Sequence, residues 1–185
     1  MFVLDAFIGN QDRHTGNWGF LGTEYGIEQL APVFDCGSCL SPLLSDEHMA
    51  NLPKSEYKNY AFNVYSCYRE NGKRIHAGKY LLDAGNKECN EAIKRIVPNI
   101  DMDRISDIIS ETELVSDIRK EFCTEILKIR YENILEPALK KVHDLEKGEL
   151  WMCVWNVLQN EVPRSAWAKR ENGDFSFLLV VKWKD

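Results

Sequence analysis

A chain of 185 residues with 44% hydrophobic content has enough apolar material for one ordinary domain with a short appendage, and global disorder is excluded. A formal net charge of −6 argues against a general DNA or RNA binder, because affinity for the phosphate backbone comes from Lys and Arg. Six cysteines are not needed as staples at this length, no secretory signal is visible, and no apolar run reaches the ~20 residues that cross a bilayer, so the chain reads as cytoplasmic with reduced thiols.

Residues 1–9 read as the end of a buried helix, with Phe2, Val3, Ala6 and Phe7 at helical spacing and Gly9 as the stop. The next ten residues, Asn10 to Gly19, hold almost every polar type useful to phosphoryl chemistry. Asp12 and Asn17 stand five positions apart, and Asp35 follows in the similar setting Pro32-Val33-Phe34-Asp35-Cys36-Gly37. Two carboxylates and an amide at this spacing can serve as a proton acceptor and as oxygen ligands for Mg²⁺, a hard cation.

Residues 17–33 read as a hairpin. Trp18-Gly19-Phe20-Leu21 and Ile27-Glu28-Gln29-Leu30 flank a loop over 22–26, so the outgoing and returning strands would carry Asn17 and Asp35 to one end. From Leu40 to Pro53 the chain reads as a loop and one short helix, capped by Ser45 or Asp46. The stretch 60–82 fits strands, with a turn at Asn71-Gly72, and also a helix through Tyr57–Tyr68.

From 87 onward the pattern is helical. Glu88–Val97 ends at Pro98, and Asp101 caps the next helix with Ile100 and Ile105 as a staple. Ser110 and Glu113 stand at capping-box spacing before the longest helix, whose buried face reads Leu114, Ile118, Phe122, Ile126, Ile129. Pro137 is expected to kink or end it. Residues 149–157 fit helix or strand. A last hairpin follows, Ala166–Lys169 against Phe175–Trp183, whose long apolar strand needs cover from the helical body or from another chain.

The order D-R-H-x-x-N followed by D-x-G resembles the HipA-like kinases and their phosphoinositide-kinase relatives. The surrounding DAFIGNQDRHTGNWGFL and LAPVFDCGSCLSP favour the HipA-like branch, densely over residues 1–43 and more loosely from about 85 to 140. The resemblance implies an α+β, mainly α fold: a kinase C-terminal lobe over 1–148 with a catalytic-loop β-hairpin, followed by a tail over 149–185. It implies transfer of the ATP γ-phosphate to Ser or Thr of a protein, and a toxin–antitoxin setting. Asp12 would be the base, Asn17 and Asp35 would hold Mg²⁺ on ATP, and His14 would support the transferring group.

A kinase requires an N-terminal lobe with a nucleotide-covering loop and a phosphate-pairing Lys, yet only eleven residues precede Asp12. The expectation is therefore a C-terminal lobe that is inactive alone, joined by a separate N-terminal lobe or self-associating through its tail strand. A non-catalytic interaction module is the alternative, and a lipid kinase a more distant one.

Simpler roles compete at several positions. His14 could be a structural histidine bonded to the backbone, and Arg13 is expected to pair with a carboxylate behind the loop. Cys36-Gly37-Ser38-Cys39 has redox or half-zinc spacing, but no second ligand pair follows and no thioredoxin-like pattern surrounds it. That spacing fits small residues after the metal-holding Asp.

Overall fold

The first helix, α1 (Phe2–Ile8), forms because Val3, Ala6 and Phe7 make one buried face, and it ends where Gly9 adopts a left-handed φ of 75°. In this computed structural model the described residues are 1–161, 167–169 and 175–177. The chain separates into two compact units, Met1–Val142 and His143–Asp185.

After a short 3₁₀ turn at Thr15–Asn17, strands β1 (Phe20–Thr23) and β2 (Gly26–Leu30) form the expected hairpin. Phe20 pairs with Leu30 and Thr23 with Gly26, with a register shift at Leu21/Gly22. The turn is tighter than the sequence suggests, since only Glu24 and Tyr25 separate the strands. The hairpin stands away from the core: Phe20 is 56%, Leu30 50% and Tyr25 91% exposed.

Ser45 is the cap of α2 (Asp46–Asn51), accepting from the His48 N–H at 3.2 Å. Both readings of the ambiguous stretch are partly correct. Helix α3 (Tyr57–Phe62) comes first, and β3 (Tyr65–Glu70) then turns through Asn71 and Gly72, both at positive φ, into β4 (Lys73–His76). The aromatic run splits because Tyr57 and Ala61 bury on one helical face while Ser66 is buried as a strand residue.

His76 ends β4 and caps α4 (Ala77–Asp83), its Nδ1 accepting from the Lys79 N–H at 3.3 Å. Burial, and then Lys79, push its pKa below the usual 6.5. The capping form is the neutral one, so the unfolded chain binds the extra proton first as pH drops. Stability is therefore expected to fall from pH 6.5 toward the lower folded-state value and to level off beneath it. Urea titrations across this range should show the step, and His76→Asn should remove it.

Helices α5 (Lys87–Ile96) and α6 (Met102–Glu111) follow, the second capped by Asp101 as expected. The cap of the longest segment differs. Ser110 lies inside α6 and bonds to Asp107, while Ser116 caps α7 (Asp117–Arg130) and is held by Asp46. Leu114 is consequently not in the buried stripe but in the connecting loop, fully exposed at φ 59°.

The buried face of α7 is Phe122, Cys123, Ile126 and Leu127. The first three join Met49, Tyr57 and Ala61 in one core cluster, and Leu127 enters the larger cluster with Val3, Phe7, Leu81, Ile93 and Ile134. Burial of side chains as large as Phe122 and Ile126 contributes roughly 1.5–3 kcal/mol each.

Pro137 neither ends nor breaks this segment. A π-helical turn at Tyr131–Leu135 widens the ladder immediately before it, and α8 (Glu136–Glu161) continues beyond. Residues 149–157 are therefore helical. In the second unit Leu150, Trp151 and Met152 are exposed, and β5 (Trp167–Lys169) pairs antiparallel with β6 (Phe175–Phe177). The rest of the expected last strand, 178–183, lies outside the described residues. No helix is long and apolar enough to cross a membrane among the described residues.

Candidate active site

The loop after α1 is held from beneath by Arg13, which is 2% exposed. Its Nε and Nη2 donate to the Asp5 carboxylate at 3.0–3.2 Å, and Asp5 is itself buried on α1. This is the carboxylate expected behind the loop, and that hydrogen bond, chiefly, raises the pKa of Arg13. Arg13 Nη1 donates to the Asn17 carbonyl at 2.6 Å and also to the Phe34 carbonyl. One nitrogen thus ties the residue before the hairpin to the residue before Asp35, because a guanidinium projects several donors in a fixed fork.

Asn10, only 2% exposed, is a second fastening that sequence reasoning missed. Its Oδ1 accepts from the Asp12 N–H at 3.0 Å and from the Ser38 hydroxyl at 2.6 Å, while Ser38 Oγ accepts from the Gln11 N–H at 3.3 Å. The 10–17 loop and the 34–39 segment are therefore laced together twice.

Asp12 and His14 lie together at the surface, with 3.9 Å between Asp12 Oδ2 and His14 Nε2 and both side chains more than half exposed. His14 Nδ1 accepts from the Gly16 N–H at 3.0 Å, which leaves Nε2 to carry the proton of the neutral ring and turns it toward Asp12. The histidine has the structural bond of the simpler reading and still presents a donor beside the carboxylate.

Asn17 is buried, and its Nδ2 donates to the Asp12 carbonyl at 2.7 Å. The amide nitrogen is used on the loop, leaving its oxygen as the atom suited to a cation. Asp35 is exposed and adopts φ 50°, a left-handed conformation that Asp tolerates better than most residues. Its backbone is brought beside Asn17 by Arg13, while its carboxylate takes no part in this hydrogen-bond network among the described residues.

The donor set fits Mg²⁺ better than zinc. Among the described residues, no three His, Cys, Asp or Glu are grouped to hold a metal. Mg²⁺ takes one or two protein oxygens and completes its shell with water and phosphate, as Asn17 and Asp35 would allow. Beside Gln11 and Ser38 opens a cavity of about 650 Å³.

No protein-family model matches the chain. Over 150 residues, 78% of its length, it is 39% identical to the serine/threonine-protein kinase CtkA of Helicobacter pylori. The crystal structure of the Helicobacter pylori proinflammatory kinase CtkA matches it with a TM-score of 0.73, at 39% identity over 78% of this chain and 52% of that one. The chain is homologous to a serine/threonine kinase. It spans about half the length of the curated relative, 46% of CtkA. The kinase resemblance read from the loop is thus supported in general, and the mainly helical α+β fold is one that the CtkA structure shares.

Proposed function

We propose that these residues form the C-terminal lobe of a HipA-like serine/threonine protein kinase. Asp12 accepts the proton of the substrate hydroxyl, and His14 Nε2 stabilises charge on the transferring group. Asn17 Oδ1 and the Asp35 carboxylate hold Mg²⁺ on ATP. The observation that supports this reading is Arg13, whose single Nη1 binds the carbonyls of Asn17 and of Phe34, the residue before Asp35. Bound Mg²⁺ would neutralise phosphate charge, and the contribution of the protein is orientation.

A cavity opens beside Gln11, the residue before Asp12, and is where a protein acceptor would approach. The uncovered faces of Phe20, Leu30 and Phe34 suit an adenine ring and a further lobe carrying the nucleotide-covering loop and its Lys. In a chain supplied with such a lobe, Asp12→Asn should lower phosphotransfer to a Ser/Thr protein substrate by about 10²–10⁴-fold with nucleotide binding retained. An undiminished rate would overturn the assignment of the base. The second reading, a non-catalytic interaction module, is favoured by the exposed Leu150, Trp151 and Met152; it predicts no phosphotransfer even with the added lobe.

A further inference from the structure

We infer that Cys36 and Cys39 form a reversible dithiol–disulfide modification site beneath the metal-holding segment, oxidised by low-molecular-weight disulfides. The two residues close a tight turn, the Cys39 N–H donating to the Cys36 carbonyl at 3.0 Å. Such a turn keeps its end Cα atoms within ~7 Å, and a disulfide needs about 4.4–6.8 Å. Burial first, and then Cys36, push the Cys39 thiol up to about 12, so the exposed Cys36 is the thiol that meets a reagent first. Both are free, with Cys36 exposed and Cys39 half-buried behind it, so one is open to a reagent and the other is placed to resolve it. Cys67, Cys89, Cys123 and Cys153 are far apart in sequence and share no such turn.

The exchange balances without a further reactant. Cys36 sulfur attacks the reagent disulfide, forming a mixed disulfide and releasing one reagent thiol. Cys39 sulfur then displaces the second reagent thiol and closes the Cys36–Cys39 bond. The protein loses two hydrogens and the reagent disulfide gains them.

This bond would act on the site through Arg13. Its Nη2 donates to Cys36 Sγ at 3.7 Å while Nη1 holds the Asn17 and Phe34 carbonyls. Turning Cys36 Sγ toward Cys39 removes that contact one residue after Asp35. Mg-ATP should bind roughly tenfold more weakly to the oxidised chain, a consequence that rests on the function proposed above.

The test is incubation with glutathione disulfide, alkylation of remaining thiols, and peptide mapping by mass. The expected first product is the intramolecular Cys36–Cys39 link, reversed by dithiothreitol, with Cys39→Ser arrested as a glutathione adduct on Cys36. Cross-links only among the other cysteines, or a wild-type chain arrested as the Cys36 adduct, would overturn the site. Nucleotide binding measured on both forms separates the two claims. A link that forms with equal Mg-ATP affinity in both forms would remove the coupling, whereas no binding in either form would count against the proposed function alone.

Discussion

Arg13→Met is expected to destabilise the fold by about 3–5 kcal/mol, because it strands the buried Asp5 carboxylate without its partner. The side chains are 2% and 9% exposed, so water cannot take the place of the guanidinium. Replacing both, as Asp5→Leu with Arg13→Met, should recover much of the lost stability, since two apolar groups leave no charge behind. The double variant should nonetheless fail to bind Mg-nucleotide, because the Asn17 and Phe34 carbonyls remain untied. Urea denaturation reads the first effect and nucleotide titration the second. Additive losses in the double variant would mean that the ion pair is not the source of the cost.

Arg130→Met should be similarly damaging, by at least about 3 kcal/mol, for a different reason. Arg130 is 2% exposed and donates to the carbonyls of Phe7, Tyr60 and Ala61, at 3.0–3.3 Å, near the C-terminal ends of α1 and α3. Helix ends of this kind carry partial negative charge, which suits a cation. Burial still pushes the Arg130 pKa down to about 10, so the group stays charged at neutral pH.

The variant would leave the buried Phe7 and Ala61 carbonyls and the part-buried Tyr60 carbonyl without this donor, and separate α1 from α3 and α7. Gly9→Ala probes the same joint from the other side. A Cβ there would stand 2.7 Å from both terminal guanidinium nitrogens, at a φ of 75° that disfavours any side chain. It should cost more than about 1 kcal/mol alone and less in the Arg130→Met background, where the clash is gone.

These two arginines also show where sequence reading stopped. The loop was legible because Asp12, His14 and Asn17 are local, and their types and spacing carry chemistry without knowledge of the fold. Arg13 was legible as a support, but its partner was not, since Asp5 looks like an ordinary polar residue in a short helix. Asn10 and Ser38 became partners only when two loops met.

Arg130 was invisible for the opposite reason. A cation near the end of a helix reads as a solvated or dipole-compensating residue, and only tertiary packing turned it inward. Ser110 and Ser116 show a plainer limit. Ser110 has the right chemistry for a cap, yet Ser116 takes that role, with Asp46 reaching Ser116 and Arg119 from α2. The strand–helix ambiguity at 60–82 had no single answer, because the helix Tyr57–Phe62 and the hairpin Tyr65–His76 share that aromatic run.

The most direct measurement is calorimetric titration of ATP, with and without Mg²⁺, into the wild-type chain and Asp35→Asn. The account predicts binding that strengthens with Mg²⁺ in the wild type, and at least about tenfold less Mg²⁺-dependent affinity in the variant. Asp35 is exposed, so the variant should keep the wild-type melting temperature. Equal affinity in the two chains, or binding indifferent to Mg²⁺, would contradict the claim that Asn17 and Asp35 hold a divalent cation on the nucleotide.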